Sequence, residues 1–528
     1  MSDAEPPTVL VLGLGRSGLA MARWCAGQGA AVRVWDTRED PPQRAALHAL
    51  LPQAGFSAAP LTEASLDGVQ RVLKSPGLAP ADARIAPLLA AARARGTPVH
   101  GELDLYVQAL AALRAERGYA PRVVGVTGTN GKTTVTALTA QLIARTGLRA
   151  VAAGNIGPSL LDTLREALAA EATGDAAALP EAWVLELSSF QLEDCAEGFE
   201  ADAAVVLNLS QDHLDWHGSM QAYAAAKARI YGQRAVMVVN RDDPLVEAMV
   251  PAAEPAPAAR AGRAARPVAE PRQVVRFGLD APQRPGDWGL VDDHGMAWLV
   301  RAAPADEGPR RGRGGTPAAV DDLVLQRLMP ADALRIRGRH NAANALAALA
   351  LASAIGCPLA PMLHGLREYR GEPHRVQPVG HVGEVEAWDD SKGTNVGATV
   401  AALRGLGADL APRRIAVILG GDGKGQDFAP LAEPLLRHAR AVALIGCDAP
   451  ALDAQLGAVL RAAGIDVQHH ATLPAATAWC FDAAQPGDAV LLSPACASLD
   501  MFSGYAQRAE VFVAAVQALA AERGGLAG

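Results

Sequence analysis

The stretch Val123–Thr134, VVGVTGTNGKTT, restricts what this chain can fold into more than any other. A β-branched run (Val123, Val124, Val126) passes into a glycine-rich turn and then into the helix formers Ala137-Leu138-Thr139-Ala140-Gln141-Leu142. The order predicts strand, loop, helix. Backbone N–H groups in such a loop converge on phosphate oxygens, and the helix N-terminus adds partial positive charge. The candidate phosphate loop is Gly128-Thr129-Asn130-Gly131-Lys132-Thr133-Thr134, with Lys132 able to reach β- and γ-phosphates and the Thr133 hydroxyl able to ligate Mg²⁺. A strict P-loop carries a glycine five positions before Gly131; this chain has Val126 there, so the loop is a variant.

At 528 residues the chain has room for about three domains of ~150 residues. Half its residues are hydrophobic and 20% are charged, which suits globular cores. A net charge of −8 argues against broad nucleic-acid or membrane-surface binding. Six scattered cysteines without CxxC spacing indicate neither a disulfide framework nor a cysteine zinc site. The acidic MSDAEPP start is unlike a signal peptide, and no apolar run reaches the ~18 residues of a membrane span. A cytoplasmic protein, acting as a monomer on small molecules, is expected.

The expected fold class is α/β in three domains, each with strand-end loops as ligand sites. In the first, residues 1–110, the strand pattern TVLVLGL runs into Gly13-Leu14-Gly15-Arg16-Ser17-Gly18, a G-x-G-x-x-G turn, and a second strand ends at Asp36, 18 positions past the last glycine. This is a Rossmann-like opening. By itself it serves any pyrophosphate, that of NAD or of a UDP-sugar. Lys74-Ser75-Pro76-Gly77 forms a further strand-end turn facing the same crevice.

The central domain, residues 111–370, adds the Gly154-Asn155-Ile156-Gly157 turn and a strand ending at Glu186, where a Mg²⁺-organising carboxylate belongs. Asp212, His213 and Asp215 cluster after the next strand, and Lys227 stands among alanines on the following helix. Residues 251–318 differ in composition. Ala/Pro/Arg-rich and RRGRGG segments lack the apolar content to order themselves, with Val274–Leu279 and Trp288–Leu299 between them as short strands of a peripheral insertion. His340-Asn341-Ala342-Ala343-Asn344 opens a long Ala/Leu helix.

The third domain, residues 371–528, reads as another Rossmann-like α/β unit. Its polar strand-end loops are Asp389–Asn395, Gly420–Asp427 and Ser493–Asp500. Lys392 and Lys424 on two of them predict a small anionic ligand.

GTNGKTT, ELSSFQLE, DHLDWHG with Lys227 fourteen positions after His213, and GRHNAANALAA resemble the Mur ligases of peptidoglycan synthesis; DDSKGTN, GGDGKGQDF and SPACASLDMF resemble the D-glutamate-adding branch of that family. The likeness covers nearly the whole chain except residues 251–318. It implies an ATP-dependent amide ligation through an acyl phosphate, with D-glutamate added to a UDP-muramoyl-alanine. It implies ATP at Gly128–Thr134 and at Asn341, Asn344, Arg375 and Asp390. Two Mg²⁺ ions would be held by Thr133, Glu186, His213 and a carbamylated Lys227, and Lys132, His213 and Lys227 would carry the chemistry. The UDP substrate would lie on Gly15, Ser17, Asp36, Thr37, Arg38, Ser75, Gly77 and Asn155. D-glutamate would lie on Lys392, Thr394, Lys424, Ser498, Leu499 and Tyr505. Tyr505, set against phenylalanine, and Arg16, charged in an otherwise apolar or small loop, depart from the family pattern.

Two other enzyme classes stay open on residues alone. A folylpolyglutamate synthetase-like ligase shares the phosphate loop and also adds glutamate, but lacks the first domain and SPACASLDMF. An NAD oxidoreductase would use only the first glycine turn. A catalytically idle nucleotide-binding protein would not need Lys132, Glu186, His213 and Lys227 together.

Overall fold

The computed structural model describes residues 6–175, 177–196, 198–252, 272–304 and 323–523. The Ala/Pro/Arg-rich stretch and RRGRGG lie outside these residues. The chain forms two compact units, one holding the first two sheets and the other an antiparallel ribbon and the third sheet.

Strands β1 (Thr8–Leu12), β2 (Ala31–Trp35), β3 (Gly55–Ser57), β4 (Val69–Lys74) and β5 (Val99–His100) form the first sheet, in the order β3-β2-β1-β4-β5 and all parallel. The order reverses between β1 and β4, so the glycine turn after β1 and the Lys74-Ser75-Pro76-Gly77 turn after β4 open on one crevice. The helix Glu102–Arg117 follows and runs across position 110, where the sequence suggested a domain boundary.

The second sheet comprises β6 (Arg122–Thr127), β7 (Ala150–Gly154), β8 (Ala182–Glu186), β9 (Ala203–Val206), β10 (Val236–Asn240) and β11 (Val274–Phe277), in the order β11-β10-β9-β6-β8-β7. These six are parallel, and the middle ones are apolar runs buried on both faces, as helix-covered parallel strands must be. β11 pairs with β10 in register Met237↔Val274, so this part of the 251–318 stretch is a strand of the sheet and not a peripheral addition. The first two sheets share one apolar core. Leu103, Leu105 and Tyr106 of Glu102–Arg117 cluster with Leu160, Leu161 and Leu164 of the helix Leu160–Ala172 and with Trp183, whose ring meets Tyr106 edge-on at 5.3 Å.

In the second unit β12 (Trp288–Asp293), β13 (Met296–Pro304) and β14 (Leu323–Pro330) form an antiparallel ribbon. The single strand expected over Trp288–Leu299 is therefore a hairpin. His294 (φ 54°) and Gly295 (φ 78°) take the paired positive angles of a two-residue turn that matches strand twist. The third sheet contains β15 (Gln377–Val382), β16 (Val385–Asp389), β17 (Ile415–Gly420), β18 (Ala439–Ile445), β19 (Asp466–His469) and β20 (Ala489–Leu492), in the order β15-β16-β20-β17-β18-β19. Only the edge pair β15–β16 is antiparallel. The loops after β16, β17 and β20 leave neighbouring strand ends.

Candidate active site

The candidate phosphate loop follows β6. Gly128 must be glycine: its φ is 150°, and a Cβ would lie 2.9 Å from the Leu207 Cβ. Asn208, just past β9, clamps the loop. Its Oδ1 accepts from the Asn130 N–H (2.8 Å), its Nδ2 donates to Asn130 O (3.0 Å), and its carbonyl accepts from the Thr129 N–H (2.9 Å). Lys132 opens the helix Lys132–Arg145 and folds its ammonium back onto Gly128 O (3.0 Å) and Thr129 O (2.8 Å). Thr133 Oγ1 donates to Glu186 Oε2 at 2.9 Å, and Asn155 Nδ2 donates to Glu186 Oε1 at 3.1 Å. Three residues distant in sequence are thus joined at one buried carboxylate, 3% exposed. A hydroxyl and a carboxylate side by side are hard oxygen donors of the kind Mg²⁺ takes.

Lys227, on the helix Met220–Ala228, is 2% exposed and enters the same loop from the other side. Its Nζ donates to Gly128 O (2.8 Å) and Thr127 Oγ1 (3.4 Å) and sits 4.6 Å from the Tyr223 ring centroid. Tyr223 Oη reaches Thr129 Oγ1 at 3.2 Å. His213 has φ 55° and caps the one-turn helix Leu214–His217. The Phe190 ring lies 4.7 Å from its ring, 4.2 Å from that of Trp216 and 5.6 Å from that of His217. His217 Nε2 in turn meets Ser189 Oγ at 2.9 Å. This aromatic cluster ties the His213 turn to the helix Ser189–Asp194, which begins just after Glu186.

In the first-sheet crevice Ser75 Oγ donates to Gly13 O at 2.8 Å, joining the two turns across the reversal point. A Cβ on Gly18 would lie 1.9 Å from Gly13 O, so the last glycine of G-x-G-x-x-G is demanded by the contact of helix with turn. Asp36, 2% exposed, accepts the Leu14 N–H at 2.7 Å and is gripped by Arg38 through Nε (2.9 Å), Nη2 (3.1 Å) and N–H (3.0 Å). Burial pushes its carboxyl up, but the bonds from Arg38 and Leu14 outweigh this and hold it below the usual range. Thr37 stands beside it (Oγ1 to Asp36 Oδ1, 3.5 Å), Gly15 has open space in front of it and Gly77 is exposed. Ser17 instead bonds Glu102, whose pKa burial raises. Arg16 Nη1 would lie 3.2 Å from a Cβ on Gly157, so this departure from the family pattern points at the Asn155 turn.

In the second unit, Asn341 and Arg375 line a cavity of about 760 Å³ together with Arg337, Arg370, Glu372 and Trp388. Asn344 Nδ2 donates to Asn341 Oδ1 at 3.0 Å. Asp390 is buried and accepts from Ser493 Oγ at 2.7 Å; burial pushes its carboxyl up to about 7 against the pull of Ser493 and Arg375. The three strand-end loops are knitted together by Ala495 N–H to Gly393 O (3.0 Å), Ala497 N–H to Asp422 O (2.8 Å) and Val396 N–H to Gln426 Oε1 (3.0 Å). Lys392 Nζ lies 3.8 Å from the Tyr505 ring centroid, so the tyrosine forms a cation–π floor there. Thr394 is half-buried, Ser498 is buried, and Lys424 (φ 52°) and Leu499 are exposed.

Several residues of these sites escaped the sequence. His374 Nδ1 lies 2.7 Å from Asp389 Oδ2, and its ring stands 6.0 Å from that of Tyr505. Arg508 is 0% exposed and donates to Ser391 O (2.9 Å) and Cys496 O (3.1 Å), binding two of the loops to the helix Tyr505–Arg523. A signal for Arg508 existed: a charge in helical register with Ala509, Phe512, Val516 and Leu519 on the buried face. Asn208 and Tyr223 carried no comparable signal.

A phosphate loop backed by a threonine–glutamate pair, a Rossmann-like sheet before it and knitted polar loops after it recur in a known family. Models of that family match residues 7–101 (Mur ligase MurD-like, N-terminal domain), 126–266 (Mur ligase middle domain) and 374–496 (Mur ligase, glutamate ligase domain). The chain belongs to the Mur ligase family. It is 56% identical over 526 residues to the UDP-N-acetylmuramoylalanine–D-glutamate ligase of Albidiferax ferrireducens, covering 99% of this chain and 98% of that one. The protein of the same name from Paraburkholderia phymatum is 55% identical with the same coverage. These alignments take in the 251–318 stretch that the motif likeness left out. In fold the chain is similar to UDP-N-acetylmuramoylalanyl-D-glutamyl-2,6-diaminopimelate–D-alanyl-D-alanyl ligase from Acinetobacter baumannii, with TM-score 0.51, 16% identity, and 93% and 90% of the two chains covered.

Proposed function

We propose that this protein is an ATP-dependent ligase that adds D-glutamate to UDP-N-acetylmuramoyl-L-alanine in cytoplasmic peptidoglycan precursor synthesis. The observation that carries the reading is the 55–56% identity, end to end, with ligases of that name. In the first step a carboxylate oxygen of the muramoyl-alanine attacks the γ-phosphorus and the bond to ADP breaks. In the second the D-glutamate amine attacks the acyl phosphate carbonyl, the carbon–oxygen bond to phosphate breaks, and the nitrogen gives up its proton as phosphate leaves. Such transfers depend on positioning and charge more than on covalent catalysis.

Lys132, whose ammonium rests on the Gly128 and Thr129 carbonyls, would turn its positive charge to the transferring phosphate. Thr133 and Glu186 would hold one Mg²⁺, and His213 with Lys227 a second. Bound Mg²⁺ neutralises phosphate charge and aligns the reacting oxygens. Lys227 would serve as a ligand once its amine had added to CO₂, forming an N–C bond and releasing one proton; its nitrogen is buried beside Thr127 and Gly128 of the loop, and the metal's charge would balance the resulting anion. Asp36, Thr37, Arg38 and Ser17 would take the uridine end, and Ser75, Gly77, Gly15 and Asn155 the pyrophosphate side. Asn341, Asn344, Arg375 and Asp390 would take adenosine. Lys392, Lys424, Thr394, Ser498, Leu499 and Tyr505 would take D-glutamate, the lysines as point charges for its two carboxylates.

The test is phosphate release from ATP with UDP-N-acetylmuramoyl-L-alanine and, in turn, D-glutamate, L-glutamate, D-aspartate, L-alanine and diaminopimelate. D-glutamate alone should support strong turnover. Equal or better turnover with any of the others overturns the assignment.

A further inference from the structure

Lys74 belongs to none of the sites above. It ends β4 and is 3% exposed, an unusual place for a lysine. Its Nζ donates to Leu78 O at 2.7 Å, pairs with Asp194 Oδ2 at 2.6 Å, and lies 5.3 Å from the Trp216 ring centroid. Each contact reaches a different working part. Ser75 and Leu78 are in the turn that joins Gly13 across the crevice. Asp194 is the last residue of the helix Ser189–Asp194, which leads out of Glu186. Trp216 is three residues past His213, packs its ring at a tilt against Phe190, and donates its indole N–H to Glu193 Oε2 at 3.1 Å.

We propose that Lys74 is a positioning residue that, through Asp194 and Trp216, locks the His213 turn to the substrate-binding end of the first domain. The inference rests on the ligase reading: the uridine end and the reacting carboxylate of one substrate would then be gripped by one frame. His213 needs such support, because a left-handed backbone conformation at a non-glycine residue persists only where the surroundings fix it. Asp194 gives a second reason. Burial pushes its carboxyl up to about 6 even with Lys74 beside it, so loss of the ammonium leaves a buried acid that must protonate or move toward water.

The experiment uses full-length wild type, Lys74→Met, Lys74→Arg and Asp194→Asn. Amide hydrogen exchange is followed over residues 212–217 and 128–134, alongside kcat and KM for each substrate. Lys74→Met and Asp194→Asn should speed exchange over 212–217 by about tenfold and leave 128–134 unchanged. They should lower kcat by about ten- to a hundredfold while KM for ATP holds, the cost of misplacing a reacting group by about 1 Å. Lys74→Arg should restore most of kcat. Unchanged exchange over 212–217 in a folded variant overturns the proposal, as does a rise spread evenly over the chain with kcat intact. If Lys74→Met fails to fold, Asp194→Asn carries the same two readouts. A wild type without D-glutamate-dependent turnover would instead sink the ligase reading, and the exchange data would still decide the role of Lys74.

Discussion

Replacing Asp36 with asparagine removes one charge and one acceptor from a residue that holds two things at once. Its Oδ2 accepts the Leu14 N–H and Arg38 Nη2; its Oδ1 accepts Arg38 N–H and Nε. Asparagine has a single oxygen. Turned to keep the Oδ1 bonds, it points an NH₂ at the Leu14 N–H, donor against donor. Leu14 is fully buried, so its orphaned amide costs about 1–3 kcal/mol. Arg38 is 55% exposed, so losing the charge opposite it adds only about 0.2–1 kcal/mol. The sum is roughly 1–4 kcal/mol, borne by the G-x-G-x-x-G turn. If half of it appears as lost binding, KM for the UDP substrate rises about 3- to 30-fold at about 1.4 kcal/mol per decade, with KM for ATP unmoved. The pH dependence has a definite sign. A carboxyl held below its ordinary pKa contributes stability that is present above the unfolded value and lost as pH falls through the folded one. Wild type should therefore lose more stability than Asp36→Asn below about pH 4. Steady-state kinetics with each substrate varied, and melting curves across pH, decide the matter. An unchanged KM for the UDP substrate would refute the reasoning.

Lys227→Ala should be inactive and partly rescued by short carboxylic acids, which can supply the missing anion; phosphate release with and without acetate reads this, and no rescue at any concentration rejects the anionic role. Lys392→Ala should raise KM for D-glutamate strongly, by the roughly 2–5 kcal/mol of a desolvated charge contact, with little change for ATP; amino-acid titrations check it. His340, lodged between Gly338 and Gly405, has its pKa lowered by burial to about 4. The unfolded chain binds a proton there that the fold refuses, so the stability it contributes is full above about pH 6.5 and lost as pH falls through 4. The melting temperature of His340→Gln should decline less than that of wild type over this range.

The phosphate loop was legible because strand, glycines and helix are contiguous, and local propensity with spacing is enough to place them. Strand-end polar loops were legible for the same reason. The pairings that make sites of them were not. Thr133 with Glu186 was the exception, expected from a carboxylate at a strand end downstream of the loop, whereas Asn208 clamps Asn130 only because β9 lies beside β6, an adjacency neither segment announces. Trp288–Leu299 was misread as one strand because its two apolar halves were joined across Asp292-Asp293-His294-Gly295, a polar, glycine-ended stretch where the chain reverses, with positive φ at His294 and Gly295. Arg508 was overlooked because helical arginines ordinarily face water, and its partners are backbone carbonyls without side-chain signature.

The apolar core shared by the first two sheets makes them a single unit of inheritance. Cutting after Arg117 would bare Leu103, Leu105, Tyr106 and Leu113 on one fragment and Leu160, Leu161 and Trp183 on the other. Neither surface is suited to water. A chimera that imports a different N-terminal domain must bring the matching face of the helix Leu160–Ala172 with it, or the graft will be sticky. Substitutions on one side of this core are therefore coupled to those on the other, through hydrocarbon contact and through the ion pairs Arg23–Asp162 and Lys74–Asp194 that flank it.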